Sequence, residues 1–107
     1  MTTFDNRKDA AEKKFAHDAE LQFKAGARRN KLLGQWVAGQ LGLSGAEAEA
    51  YAKAVVMSDF EEAGDDDVFR KVTSDLAAGK IEISDHVVRR TMDELMAKAI
   101  AEIQAGT

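Results

Sequence analysis

Four segments of the chain carry apolar side chains three or four positions apart, which is the spacing of one helix face. Polar and charged residues occupy the remaining positions of each segment, so the sequence predicts four amphipathic helices. Their apolar stripes contain Leu32, Leu33, Trp36, Val37 and Leu41; Ala48, Tyr51, Ala52, Val55 and Val56; Val68, Phe69, Val72 and Leu76; and Val88, Met92, Leu95, Met96, Ala99 and Ile103.

Glycines and capping residues separate the first three stripes. Gly42 suits the left-handed position beyond a helix end. Ser44 followed by Glu47 matches a capping box, which predicts the start of the second helix there. We expect that helix to end near Phe60 to Glu62, with Gly64 in the break that follows.

Residues typical of helix ends also mark the limits of the third and fourth helices. Asp65 or Asp66 can cap the third helix and favour its positive dipole end, and Gly79 stops it. Ser84 or Asp85 can cap the fourth. The intervening "KIEIS" alternates like a strand but has no partner strand, so we expect Ile81 and Ile83 to form a loop packed on the helices. Because the connections are short, the sequence predicts an all-α fold, a compact antiparallel four-helix bundle.

The first twenty residues lack this design. Apart from Met1, Phe4 and Phe15 are their only large apolar side chains, and they share a helical face with Ala11. Two phenylalanines cannot offset an ordering cost of about 1–2 kcal/mol per residue. We therefore predict a mobile N-terminal arm over residues 1–20 and a bundle domain over residues 21–107. A frayed extension of the first helix, without a role, is the alternative.

Composition and charge narrow the class of protein. The 107 residues include no cysteine and no proline, and the formal net charge is −4. These values exclude disulfides and thiol chemistry, and they argue against general binding to nucleic acid. No apolar run reaches the ~20 residues that a membrane span needs, and the N-terminus lacks a signal-peptide pattern. We expect a cytoplasmic protein that is not membrane-embedded.

A basic cluster lies at the start of the first stripe and consists of Lys24, Arg28, Arg29 and Lys31. It could bind a phosphate or an acidic protein surface, or it could be the solvated face of an amphipathic helix. The stretch from Ser44 to Asp67 holds eight acidic residues and one lysine. If the first two helices pack side by side, the two blocks of charge can face each other.

No pattern of catalytic or metal-binding residues emerges from the sequence. "GDDD" lacks the alternating ligands of a calcium loop, so helix capping explains it better. His17 and His86 are far apart and have no zinc-ligand spacing, and His86 is expected on the surface of the fourth helix. Trp36 is expected in the core. We predict a protein that is not an enzyme and that uses no cofactor or metal.

The chain resembles one family at several stretches, in order along nearly its whole length. That family is the zeta subunit of the F-type ATP synthase of α-proteobacteria, a small inhibitor of its ATPase activity. The matching stretches are "FDNR", "KFAHD", "FKAGARRNKLLGQW", "AEAYAKAVV", "DFEEAGDDDVFRKV" and "MDELMAKAI".

The resemblance implies a four-helix bundle whose mobile N-terminal segment inhibits the enzyme. It implies that this segment, here Thr2 to Asp18, folds into a helix between catalytic subunits of the head, near the central stalk. Many members of the family are expected to carry an aromatic residue at the position of Ala11, so this chain departs from the family pattern there. By position, the partner-binding residues are Phe4, Asp5, Arg7, Glu12, Lys14 and Phe15.

The sequence thus supports an inhibitor of ATP hydrolysis as the main hypothesis. The alternative is a helical regulatory module that binds a protein partner, or weakly a nucleotide, through the basic cluster. Inhibition and nucleotide binding do not exclude each other, since a nucleotide could modulate docking.

Overall fold

The described part of the chain folds into four α-helices, which confirms the predicted all-α bundle. The computed structural model describes the backbone of residues 3–59 and 64–106, and the side chains of residues 18–59 and 64–106. No strand occurs in these ranges. The mobility of the arm stays a prediction, since its side chains up to residue 17 lie outside the described part. The helices are α1 Thr3–Gln40, α2 Gly45–Ser58, α3 Asp66–Ala78 and α4 Asp85–Gln104.

One apolar core joins the four helices. Each of its buried side chains belongs to a stripe that the sequence identified, and burying a Val or Leu side chain contributes about 1.5–3 kcal/mol. Trp36 is partly buried and packs against this core, while His86 is exposed, as expected. The core residues are Leu33, Val37, Val55, Val68, Val72, Leu76, Val88 and Met92.

The segment between α3 and α4 is a packed loop, as predicted. Ile81 and Ile83 contact the core, and the Ile81 amide donates to the Leu76 carbonyl at 2.9 Å. Lys80, with φ of 60°, takes the left-handed position, rather than Gly79. A Cβ on Gly79 would lie 2.5 Å from Cδ2 of Leu41, so the Leu41 side chain would have to shift to admit a larger residue there.

The predicted cap residues lie at the helix ends, but not all of them form the expected capping hydrogen bond. Ser84 caps α4, and its side chain accepts a hydrogen bond from the Val87 amide at 3.2 Å. Ser44 occupies the N-cap of α2 but its side chain makes no capping hydrogen bond, so the predicted capping box is not formed. Helix α2 ends at Ser58, earlier than expected, and the predicted end at residues 60–62 lies outside the described residues.

The contact between α1 and α2 depends on Gly34. A Cβ at this position would lie 2.5 Å from Cα of Ala52, so the helix backbones approach too closely for any side chain. We expect Gly34→Ala to destabilise the protein by about 1–3 kcal/mol, because overpacking exceeds the gain in helix propensity. Urea denaturation followed by the fluorescence of Trp36, the single tryptophan, measures this change.

Gly39 provides the matched control in the same helix. A Cβ there meets nothing within 4 Å, so Gly39→Ala should leave stability unchanged or raise it by up to ~1 kcal/mol. Two substitutions of the same chemistry are thus expected to differ in sign. Equal stabilisation by both would show that the close approach at Gly34 does not limit the packing of α1 on α2.

Candidate functional site

The predicted partner-binding residues of the arm lie outside the described side chains. The roles of Phe4, Asp5, Arg7, Glu12, Lys14 and Phe15 therefore stay predictions. The described side chains begin with three exposed residues, and the first buried side chain among them is Ala25. No helix in the described ranges is long and apolar enough to cross a membrane. Among the described side chains, none before Ala25 belongs to the buried core.

The four residues of the basic cluster lie in different surroundings. Lys24 pairs with Glu20 at 2.9 Å on the surface, and Arg28 reaches Glu102 of α4 at 3.8 Å. Lys31 is exposed, whereas Arg29 is buried with only 2% of its surface accessible. The cluster's proposed contact with phosphate or with a partner stays a prediction.

Arg29 and its neighbour Asn30 form a polar network with the segment that joins α2 to α3. The Arg29 guanidinium donates from Nε to Oδ1 of Asn30 at 2.7 Å and from Nη2 to Asp65 at 2.8 Å. The Asn30 amide in turn donates to Asp59 at 2.9 Å. Two of the sequence stretches that carry the family resemblance, "ARRNKLLG" and "DFEEAGDDDVF", therefore contact each other through their polar residues.

The three consecutive aspartates fasten the start of α3 to different parts of the bundle. Asp65 is the N-cap residue, but its carboxylate accepts from Arg29 instead of capping the helix. Asp66 pairs with Arg89 of α4 at 2.8 Å, and buried Asp67 accepts from the Val68 amide. No group of three or more potential metal ligands occurs among the described residues.

Asn30 and Asp59 were not among the site residues predicted from the sequence. The sequence contains a sign that Asn30 is buried. Asn30 precedes buried Leu33 by three positions and buried Val37 by seven, so the three residues share one helix face. A polar residue that continues an apolar stripe needs a buried hydrogen-bond partner. No comparable signal marks Asp59, since its partner is 29 residues away in the chain.

The network shifts the pKa values of its two carboxyls in opposite directions. The hydrogen bond from Arg29 lowers the pKa of Asp65 below its ordinary value of 3.8. Burial raises the pKa of Asp59, although the hydrogen bond from Asn30 acts against this rise. Ionised Asp65 therefore stabilises the fold at neutral pH, whereas ionised Asp59 costs stability there.

Two amide substitutions should separate these contributions. Asp65→Asn is expected to lower the thermal midpoint at pH 7, and the difference should vanish as the pH falls through the lowered pKa of Asp65. Asp59→Asn should raise the midpoint at pH 7, with the difference vanishing between the raised pKa of Asp59 and 3.8. Thermal unfolding from pH 7 to pH 3 measures both, and shifts of the same sign would contradict the assignment.

A groove of 400 Å³ opens beside this network, and we call it the Phe23 groove. Phe23, Val56 and Met96 supply apolar walls from α1, α2 and α4, and Gly26 leaves space along α1. Phe23 is 71% exposed, the most accessible large apolar residue among the described side chains. Asp59, Asp65, Arg29 and Asn30 form the polar end of the groove.

Comparison with known proteins relates this chain to a protein family and to solved structures. The sequence matches the family described as ATPase inhibitor subunit zeta over residues 1–102. A protein structure determined in solution by NMR is 52% identical, with a TM-score of 0.72, and the alignment covers 81% of this chain and 99% of that one. A comparison with curated proteins gives no significant match. Since the family match includes both the arm and the bundle, the chain belongs to the ATPase inhibitor zeta subunits.

Proposed function

We propose that this chain is a non-catalytic, cytoplasmic inhibitor of ATP hydrolysis by the F-type ATP synthase, and that its N-terminal arm blocks the catalytic head. The observation that carries the proposal is the match to the inhibitor family over residues 1–102, which includes the arm. The burial pattern supports it, because the apolar core draws on residues 33–92 and leaves residues 18–20 exposed.

The proposed mechanism is a wedge. The arm enters an interface between catalytic subunits, near the central stalk, and buries Phe4 and Phe15 there. Arg7, Lys13 and Lys14 meet acidic side chains of the partner. A helix held in that interface prevents the closure that each catalytic site undergoes during hydrolysis, so the rotor stops.

The bundle contributes by keeping the arm close to its target. A segment that becomes ordered on binding loses affinity equal to its ordering cost. A second contact made by the bundle raises the effective concentration of the arm at the interface and offsets this loss. In our proposal Lys24, Arg28 and Lys31 of the basic cluster are candidates for such a contact, while Arg29 is engaged inside the bundle.

The alternative, a nucleotide site at the basic cluster, receives less support from the geometry. The Arg29 guanidinium already donates to Asn30 and Asp65, so it would have to leave both to bind phosphate. Titrating ATP while recording the amide chemical shifts of residues 27–31 tests this alternative. Saturating shifts at these amides would support it, and their absence would exclude it.

Adding the full chain to the purified head of the cognate synthase tests the proposed function directly. We expect the rate of ATP hydrolysis to fall with increasing chain and to level off at a stoichiometric complex. An unchanged rate at a concentration where the chain binds the head would overturn the proposed function.

A further inference from the structure

We propose that the Phe23 groove is a docking site on the bundle for an apolar segment of the synthase head that carries one Lys or Arg side chain directed at Asp59. This inference rests on the proposed function and adds a contact of the bundle that is separate from Lys24, Arg28 and Lys31. The groove lies where α1 enters the bundle, so a partner seated there would fix the direction in which the arm leaves.

The apolar half of the groove supports an apolar occupant. Phe23 keeps 71% of its surface exposed, although it lies between buried Ala25 and the arm on the same helix. Phe23 lines the groove together with partly buried Val56 and Met96, which belong to two other helices. An exposed aromatic next to a concave apolar surface is typical of a protein interaction site.

The charges at the polar end of the groove favour a partner segment that carries a positive side chain. Arg29 and Asp65 at the end of the groove neutralise each other as an ion pair of 2.8 Å. The Asp59 carboxylate instead accepts from the neutral Asn30 amide and forms no ion pair with the residues that the structure describes. An incoming cation would offset the cost of its partial burial, whereas an incoming acid would add repulsion.

Gly26 allows the groove to be filled without disturbing the fold. It lines the groove, and a Cβ added there meets nothing within 4 Å. A leucine at this position would occupy the space where the apolar segment binds, and it would favour helix formation over glycine. A thermal midpoint of Gly26→Leu equal to that of the wild-type chain would show that a loss of binding does not reflect unfolding. Gly39→Leu is the control, since Gly39 lies exposed elsewhere on α1 and a Cβ added there also meets nothing within 4 Å.

The experiment measures binding of full-length chains to the immobilised head of the synthase, together with inhibition of ATP hydrolysis. We expect Gly26→Leu to raise Kd about tenfold or more, the usual effect of losing a central contact, and Gly39→Leu to leave it unchanged. At saturating concentration Gly26→Leu should still inhibit fully, because its arm is intact. Asp59→Asn should weaken binding and reduce its dependence on salt.

Three results would overturn the proposals, each in a distinguishable way. Equal binding by the wild-type chain and the Gly26→Leu variant would reject the groove as the docking site and leave the proposed function standing. A wild-type chain that binds but does not inhibit would reject the proposed function. If Gly26→Leu changes only the sedimentation of the isolated chain, from dimer to monomer, then a second copy occupies the groove and our choice of occupant is wrong.

Discussion

A chain that lacks residues 1–19 is expected to lose its inhibition of the synthase while keeping the thermal stability of the full-length protein. The first buried side chain among the described residues is Ala25, and residues 18 and 19 are exposed, so the deletion removes no buried side chain that the structure describes. We expect the thermal midpoint to change by no more than about 2 °C. Rates of ATP hydrolysis by the purified head, with either chain added, measure the loss of inhibition.

A full-length variant with Phe4→Ala and Phe15→Ala is the matched control for this deletion. It retains the length and charge of the arm but lacks its two large apolar side chains. The wedge mechanism predicts weaker inhibition by this variant, with an unchanged thermal midpoint. If the truncated chain inhibits as strongly as the full-length chain, the arm is not the inhibitory element and the wedge mechanism fails.

Arg29→Ala is expected to destabilise the bundle by about 1.5–3 kcal/mol, the range for losing hydrogen bonds to a charged group, because Arg29 is buried while its partner Asp65 is half exposed to solvent. The substitution leaves the Asn30 side-chain oxygen without its donor and removes the positive charge that acts to lower the pKa of both Asp59 and Asp65. It also opens a cavity in a site where Arg29 is only 2% exposed. Since small domains are stable by about 5–15 kcal/mol, this loss is large. Urea denaturation followed by Trp36 fluorescence measures it.

Two further variants assign the origin of that loss. Arg29→Met fills most of the volume, so it should recover the part that comes from packing and not the part that comes from hydrogen bonds. In a double-mutant cycle, Arg29→Ala and Asp65→Ala should be non-additive by about 0.5–3 kcal/mol, because the two residues form one ion pair. Additive effects, or a loss below ~1 kcal/mol for Arg29→Ala, would show that the network does not hold α3 against α1.

Local patterns in the sequence were sufficient for the helices and for the core. Leu33, Val55, Val72 and Val88 all lie on stripes that the spacing identified, because helix periodicity places residues three and four apart on one face. Hydrogen bonding at the helix ends was less predictable. Ser44 occupies the expected cap without forming its bond, since that bond depends on the exact path of the loop before it.

The candidate site was only partly predictable, because its contacts also depend on segments that are distant in the sequence. The sequence marked Arg29 as one of four basic residues of equal standing, yet burial engages its charge internally while Lys24 remains on the surface. Which cation is buried depends on the direction of each side chain relative to helices that follow much later in the chain. The exposure of Phe23 likewise depends on how α2 and α4 approach α1.

The sequence by itself determined the helical periodicity, the composition of the core and the scarcity of large apolar side chains in the first twenty residues. Each of these features follows from side chains that are near one another in the chain. Only the tertiary structure decided that Asp59 and Asp65 meet Asn30 and Arg29, and that a groove forms beside them. These contacts join residues 29 and 36 positions apart. Their formation depends on how closely α2 packs on α1, which a single glycine, Gly34, permits.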